Sequence, residues 1–561
     1  MLVGCLFVVI TNVFALLVPW VLKQAVDSLK EAVNSTVLLK YAALLVGVTI
    51  VEGAFRFLMR HTMIGVSRKI EYDLRNDYLS HLQKLSLSFY NKIKTGDLMA
   101  RATNDLEAVR QVVGPAIMYS LNTLMSMSAF LIMLYINVQL TLIAIIPFPF
   151  LVLAVNRMAK KLHRAYKGIQ AQYSNITSRV QENLSGIRVV KAYVQEQPEI
   201  ESFKKLNKEY ISKNLALAKI RGFLMASMTF LVGLGMLIIL WIGGRLVILD
   251  RLTVGELVAF FAYLGMLTWP MMALGWVINL IQQGSASMGR INRILETEPD
   301  IRDDVMTDSG IRQLAGTIEF QSVSFSYNGV SVLRNIDLKI EKGMTVAIVG
   351  PTGSGKSTLI NLIPRLLEAT EGRVLVDGVD IRHIPLHTLR SHIGYVPQDT
   401  FLFSDTIKEN IAFGVESPSM QEIEEAAVIA QIRNDVLDLP DKFETMLGER
   451  GINLSGGQKQ RTAIARAVIR KPRILILDDS LSAVDTYTEE EILKRLRAIM
   501  RERTSIIVSH RISTVKDADL IVVLEEGEIR EQGTHEELLE KEGLYADIHQ
   551  KQLLEEALEN L

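Results

Sequence analysis

Six long apolar stretches, near residues 2–22, 37–59, 114–135, 139–157, 223–243 and 255–281, constrain this chain more than any other feature. Each approaches or exceeds the roughly 20 residues that a helix needs to cross a hydrocarbon layer of about 30 Å. Backbone polar groups in hydrocarbon must be satisfied within the segment, so the pattern predicts a bundle of six transmembrane helices. With 561 residues and 49% hydrophobic content, the chain is too long and too apolar for one water-soluble domain. The first stretch lacks the basic leader and small-residue cleavage site of a signal peptide, and five more stretches follow it.

Connections between the stretches alternate in length and charge. Those after the second and fourth are long and basic (Arg68, Lys69, Arg75, Lys84, Lys92, Lys94 and Arg101, then Lys160, Lys161, Arg164, Lys167, Arg188, Lys191, Lys204 and Lys205), whereas Tyr135 to Gln139 is short and uncharged. The positive-inside rule puts the long connections in the cytoplasm, on helices that continue past the bilayer. Within the second stretch, Glu52 and Arg56 are four residues apart. Ionisable groups at that depth are functional candidates, and mutual neutralisation as an i, i+4 pair is the competing reading. Met225, Met228, Met236, Met266, Met271 and Met272, with Trp269 and Trp276, are candidates for an adaptable apolar cavity or for ordinary packing and lipid contact. Pro147, Pro149 and Pro270 are expected to kink their helices.

After residue 295 the character changes. Residues 1–295 form the expected membrane domain, 296–316 a polar linker, and 317–561 a domain in which strands alternate with helices. Strands are expected near 317–325, 345–349, 372–376, 474–478, 505–508 and 520–525, giving an α/β core with an antiparallel side sheet and a helical insert. The charged terminal helix, 537–560, shows no evident chemical role. Lys and Arg (61) balance Asp and Glu (62), so no bulk attraction to nucleic acid arises. The single cysteine, Cys5, excludes an intrachain disulfide framework.

The chemistry is concentrated in this second domain. Gly350-Pro351-Thr352-Gly353-Ser354-Gly355-Lys356-Ser357 follows an apolar strand and opens a helix that begins with Thr358. This is a phosphate loop in its strand–loop–helix context: amides turn toward phosphates, Lys356 supplies a point charge, and the Ser357 hydroxyl can ligate Mg²⁺. The apolar run Arg473 to Leu477 ends in Asp478, placed to hold the Mg²⁺ shell. Between them stands Leu454-Ser455-Gly456-Gly457-Gln458, followed by a basic helical segment.

That segment resembles the signature of ATP-binding cassette (ABC) proteins, and further marks follow in family order: Tyr327, Gln398, Ser482-Ala483-Val484-Asp485 and His510. The resemblance implies that Tyr327 stacks on adenine, that Gln398 senses metal and attacking water, and that His510 orients the γ-phosphate. It implies that each signature completes the ATP site of an opposite cassette in a head-to-tail dimer, with ATP and Mg²⁺ as cofactors. It also implies coupling helices near Tyr90 to Arg101, centred on Thr95-Gly96-Asp97, and near Gly186 to Tyr193. Six spans ahead of the cassette resemble an exporter half in the cytoplasmic membrane, moving a hydrophobic small molecule or a lipid.

One residue departs from the pattern. In family members that hydrolyse fast, a glutamate follows the Asp478 position; here it is Asp479. Aspartate withdraws the carboxylate by about one C–C bond, and a misplacement of ~1 Å can cost about a hundredfold in rate. The resemblance is therefore to the weak-site half of heterodimeric multidrug-type exporters. The alternatives are a homodimeric lipid flippase or exporter with slow hydrolysis, a regulatory ATP-binding subunit, and an ATP-gated channel on the same scaffold.

Overall fold

The computed structural model describes residues 1–31, 35–448, 451, 453–484 and 486–559. Asp485 and the side chains of Met271, Met272 and Lys160 lie outside the described residues. The chain separates into two compact units, Met1–Ser80 with Gly96–Glu296, and His81–Thr95 with Thr297–Leu561.

The first unit is helical. Among the described residues, five helices are long and apolar enough to cross a membrane. Ser35–Leu82 has 48 residues, about 72 Å at 1.5 Å per residue, so it continues far beyond a 30 Å layer. The expected fourth span, 139–157, is divided instead: one helix covers Val138–Ile145 and another Pro147–Ser185. Pro147 has no N–H to continue the ladder, and the Ile146 amide falls back on Ile143 O at 3.2 Å. Pro270 does not interrupt Val254–Leu295, which runs through it. The second predicted coupling position, Gly186 to Tyr193, is occupied by the short helix Ile187–Ala192 between two long helices. The first, Tyr90 to Arg101, spans the end of the short helix Leu87–Lys92, and its centre Thr95-Gly96-Asp97 opens Thr95–Ala100, the start of the next long helix.

Polar ties join the first and last long helices. Thr253 and Glu256 form a reciprocal cap at the start of Val254–Leu295. Lys23 pairs with Glu256 at 2.9 Å, and the Asp27 carboxylate accepts from Gly255 N and Thr253 Oγ at 2.8 and 2.9 Å. Farther along, Asp105 accepts from Ser287 Oγ and Arg290 Nε at 2.9 and 2.8 Å. Glycine permits the closest approach: a Cβ on Gly284 would stand 2.2 Å from Val112 Cγ2 and 2.9 Å from Ala108 O.

The second unit holds two sheets. Strands are β1 (Ile318–Tyr327), β2 (Val330–Ile340), β3 (Thr345–Val349), β4 (Glu371–Val376), β5 (Val379–Asp380), β6 (Ile393–Val396), β7 (Ile474–Asp478), β8 (Thr504–Val508), β9 (Leu520–Glu525) and β10 (Glu528–Gly533). The order β2-β1-β4-β5 makes an antiparallel side sheet. The order β10-β9-β3-β8-β7-β6 is parallel except for β10. β7 and β8 are buried along their whole length, as a parallel sheet covered on both faces requires. A helical insert around Gly456–Val468 packs its apolar face into the same core as β7.

Residues 296–316 carry no regular element, yet they are not a free tether. Leu314 is buried in the core of the second unit, and the Asp377 carboxylate accepts from Ala315, Gly316 and Thr317 amides at 2.6 to 3.0 Å. Residues 81–95 belong to the same unit: Ser86 and Ser88 hydroxyls donate to Asp300 at 3.1 and 2.6 Å.

The Gly284 contact is testable. Gly284→Ala drives a methyl into backbone and should cost about 1–3 kcal/mol, read as a shorter thermal half-life of the solubilised chain. Adding Val112→Ala should restore part of the loss, because the Ala108 carbonyl remains. Gly289→Ala in the same helix meets nothing within 4 Å and should stabilise by up to about 1 kcal/mol.

Candidate active site

The site forms where β3, β7 and β8 end on the same edge of the parallel sheet. β3 leads into the loop Gly350 to Gly355, and Lys356–Leu362 is the helix beyond it. Gly350 and Gly355 have φ of +146° and +101°, and a Cβ at Gly350 would stand 2.1 Å from Leu524 O. Only glycine fits there. Gly353, at φ +85°, has nothing within 4 Å of its Cβ position, leaving open space over the loop.

A cavity of about 360 Å³ lies over this loop, lined by Thr352, Gly353, Lys356, Ser357 and Thr358 from one side and by Gln398, Asp478, Asp479 and His510 from the other. The Lys356 ammonium donates to Gly350 O and Pro351 O, both at 2.8 Å. Burial depresses its pKa, opposed by the charges of Asp478 and Asp479. Ser357 Oγ donates to Asp478 Oδ1 at 3.2 Å. Burial pushes the Asp478 carboxyl above its ordinary range; the Ser357 bond opposes this, the Asp479 charge adds to it, and Lys356 opposes it.

Asp479 takes a left-handed backbone at φ +45°, uncommon for a residue with a side chain and tolerated best by Asp and Asn. Its amide donates to Val508 O at 2.9 Å, and its Oδ1 is 2.9 Å from His510 Nδ1. The acid therefore sits beside the imidazole, with one flank open to the cavity.

These residues fit a magnesium nucleotide. The Ser354 hydroxyl is buried without a partner at the loop, and the glycines form a cradle of amides beside a lysine. Among the described residues, no group of three or more His, Cys, Asp or Glu could hold a metal alone. Mg²⁺ bound with a nucleotide needs only one or two protein oxygens beside the phosphates, which Ser357 and Asp478 offer.

Two predicted groups lie elsewhere. Tyr327 is at the turn end of the β1–β2 hairpin, paired with Val330 and edge-on to Phe325 at 4.7 Å, and does not line the cavity; Val332 does. The Leu454 to Gln458 signature is also outside it. Ser455 caps the helix Gly456–Val468, accepting from Gln458 N at 3.2 Å while Gln458 Oε1 accepts from Ser455 N at 3.0 Å. Gly457 allows close approach to Ala483, whose carbonyl would be 2.9 Å from a Cβ.

Sequence reasoning missed the braces. Gln460, two residues past the signature, donates to Ser482 Oγ at 3.1 Å and accepts from Ala483 N at 3.0 Å, while Ser482 Oγ donates to Asp479 O at 2.9 Å. Gln552 on the terminal helix donates to His510 O and accepts from Ile512 N. Buried Glu489 pairs with Arg511. Arg466, its pKa lowered to about 10 by burial, donates to Asn410 O and Phe401 O at 2.8 Å and anchors the segment after Gln398. A second glutamine after the signature was the one sequence signal available.

Comparison with known proteins matches this geometry. The ABC transporter transmembrane region family covers residues 1–271 and the ABC transporter family residues 333–482. The probable multidrug resistance ABC transporter ATP-binding/permease protein YheI of Bacillus subtilis is 41% identical over 97% of this chain and 93% of its own length. This chain belongs to the ABC transporters. The transporter has the exporter arrangement, a membrane domain fused ahead of one ATPase domain. An ATP-dependent lipid A-core flippase of Syntrophus aciditrophicus is 38% identical over 96% of the transporter and 89% of its own length. The ATP-bound structure of a bacterial Atm1-family ABC exporter superposes with a TM-score of 0.80 at 30% identity, covering 98% of both chains.

Because the folded pKa of Asp478 is raised, its contribution to stability is full only below the unfolded value of about 3.9 and is lost as pH rises through the folded value. At neutral pH the ionised carboxylate is a cost. Asp478→Asn should therefore leave the melting temperature of the nucleotide-free transporter unchanged or higher at pH 7. The same variant should abolish the stabilisation by Mg²⁺-ATP, which is about 2.7 kcal/mol at a hundredfold excess over Kd. Differential scanning fluorimetry reads both.

Proposed function

We propose that this chain is the weak-site half of a heterodimeric exporter that moves a hydrophobic or amphipathic compound, drug or lipid, across the cytoplasmic membrane. Its partner is a second, different half carrying glutamate at the position of Asp479. One observation carries the reading: the acid beside Asp478 is an aspartate, and its short carboxylate is engaged with His510 at 2.9 Å. The relatives named for multidrug resistance and for lipid A-core flipping support the class of cargo.

In this reading ATP binds with its phosphates over Gly350 to Lys356 and its adenine toward Tyr327. Ser357, Asp478 and Gln398 would hold Mg²⁺, which would supply charge neutralisation to the phosphates. The signature, outside its own chain's cavity, presents Ser455 and the start of a helix to the partner's nucleotide. ATP thus holds the halves together, and closing and parting of the two ATPase domains switches the bundle between inward-facing and outward-facing states. The long basic connections support a cytoplasmic side for the ATPase.

Hydrolysis needs a carboxylate that reaches a water at the γ-phosphate. Asp479 is one methylene short of the usual acid, so its own site binds nucleotide and turns over slowly, while its intact Leu454 to Gln458 completes a fast site on the partner. Gln398 and His510 line the same cavity as Asp479, and this favours one second reading, a homodimer with slow but real hydrolysis.

Turnover of the purified chain separates the readings. Slow ATPase activity is expected, insensitive to Asp479→Asn and raised tenfold or more by Asp479→Glu. Co-expression with a glutamate-bearing half should yield a one-to-one complex with fast turnover. Brisk activity of the chain alone, lost in Asp479→Asn, would overturn the weak-site assignment.

A further inference from the structure

Within the membrane unit a cavity of about 290 Å³ opens between the helices Leu2–Glu31, Ser35–Leu82, Ile117–Ile136 and Val254–Leu295. Its polar side is formed by Asn12, Asn122, Arg56 and Arg60, and its apolar wall by Met59, Tyr119 and Trp269. Arg56 falls inside the second apolar stretch and Arg60 one turn later, between exposed Phe57 and Leu58 and the rest of the long helix. An arginine inside an apolar stretch, as Arg56 is, is costly unless a partner or ligand compensates it; Arg60 lies just past the end of that stretch and is exposed at the same cavity.

The charges do not cancel. Arg56 pairs with Glu52, which is buried. Arg60 has no hydrogen bond or ion pair with any described residue. Of the two guanidiniums that line the cavity only Arg56 is paired, and Glu52 is not among the lining residues, so the charge of Arg60 is left without a carboxylate partner among the described residues. Its neutral groups are pre-positioned: Asn12, buried, donates to Val8 O at 2.8 Å and to Asn122 Oδ1 at 2.9 Å. That bond leaves the Asn122 amide nitrogen without a partner among the described residues, as a further donor. The two hydroxyls at the cavity, Thr11 and Ser126, donate back to their own helices at 2.7 and 2.8 Å and offer the ligand no proton.

We infer that this cavity is a cargo subsite for an amphipathic anion, with a carboxylate or phosphate seated on Arg60 and Arg56 and a hydrocarbon or aromatic tail along Met59, Tyr119 and Trp269. The inference rests on the export reading and narrows its cargo. A planar guanidinium binds carboxylate and phosphate through two parallel hydrogen bonds, which a snorkelling surface lysine would not do. Methionine and aromatic rings accept tails of varied shape, so selectivity comes from the head group. A lipophilic cation meets an excess of like charge at the same place and is rejected. Arg60, carrying no structural contact, is the residue whose charge is free for a ligand, whereas Arg56 is divided between the ligand and Glu52.

Equilibrium binding of 11-(dansylamino)undecanoate tests this, with the full chain in phosphatidylcholine nanodiscs without ATP. Dodecyl phosphate should displace the probe, and dodecyltrimethylammonium should not. Arg60→Gln should weaken probe binding about tenfold or more, with Arg60→Lys intermediate and the thermal half-life unchanged. Glu52→Gln should tighten binding by releasing Arg56, a gain that loss of structure would not produce. Loss of probe binding when phosphatidylglycerol is added would identify the anion as a lipid head group; insensitivity to it, with displacement by dodecyl phosphate, would identify a free amphiphile. Unchanged affinity in Arg60→Gln, or equal displacement by the ammonium compound, would overturn the subsite. Because no ATP is present, binding that survives while ATP drives no transport would count against export and leave the subsite standing. Transport of cations alone would do the reverse.

Discussion

A carboxylate buried at the end of a parallel strand organises the ATPase unit. Asp478 closes β7, the loop Gly350 to Gly355 follows β3, and β8 lies between them. The strand order therefore holds the loop and the acid two strand spacings apart, close to 10 Å at about 4.8 Å each. Ser357 and Lys356 reach back across that gap. In water the same groups would be hydrated and indifferent to one another. Here burial shifts Asp478 upward and Lys356 downward, so both charges are less comfortable than in solvent. The site is unfavourable by itself and awaits a ligand that brings a cation and phosphate oxygens together.

Much of this was legible because the motifs are short and local. A glycine-rich turn between a strand and a helix carries its own geometry, and Gly350 and Gly355 sit at the positive φ that their spacing requires. Apolar runs likewise announced the membrane unit, since a bilayer demands length and composition rather than particular partners. What the sequence concealed depends on distant pairs. Asn12 and Asn122 meet across 110 residues. Gln552 reaches back 42 residues to brace the backbone of His510, giving the terminal helix the role that its composition hid. The short strands β5 and β6 have too few residues for a periodicity to show, and β10 carries a single apolar side chain, Ile529, among polar ones. The grouping of residues 81–95 with the ATPase unit rests on serine–aspartate bonds that no local pattern encodes.

The signature illustrates a motif that is locally satisfied and functionally open. Ser455 and Gln458 cap each other reciprocally, so the helix start is stable without help from another chain. Gln458 also donates to Asp435 at 3.0 Å, which fixes the turn to the insert. The first turn of the helix, with its glycine amides, remains outside the cavity of its own chain. Gln460 then ties the same helix to the residues that follow Asp479. Whatever engages the signature from outside is mechanically linked, through one side chain, to the acid of this chain's own site.

That linkage bears on how unequal halves can arise. Asp479 holds a left-handed backbone fixed by its amide bond to Val508 and by the Ser482 hydroxyl on its carbonyl. None of these bonds involves its side chain, so the turn is indifferent to whether the arm is aspartate or glutamate, apart from the modest preference of this conformation for the shorter acid. The fold and the braces to the signature helix therefore remain when one methylene is lost. In the reading proposed above, what changes is the reach of the carboxylate alone; here it stands beside the His510 imidazole at 2.9 Å. A catalytic setting that can be altered without disturbing nucleotide binding or signature presentation is what a division of labour between two halves requires. In the weak-site reading proposed for this chain, that setting is at Asp479, which is held through its own amide and carbonyl.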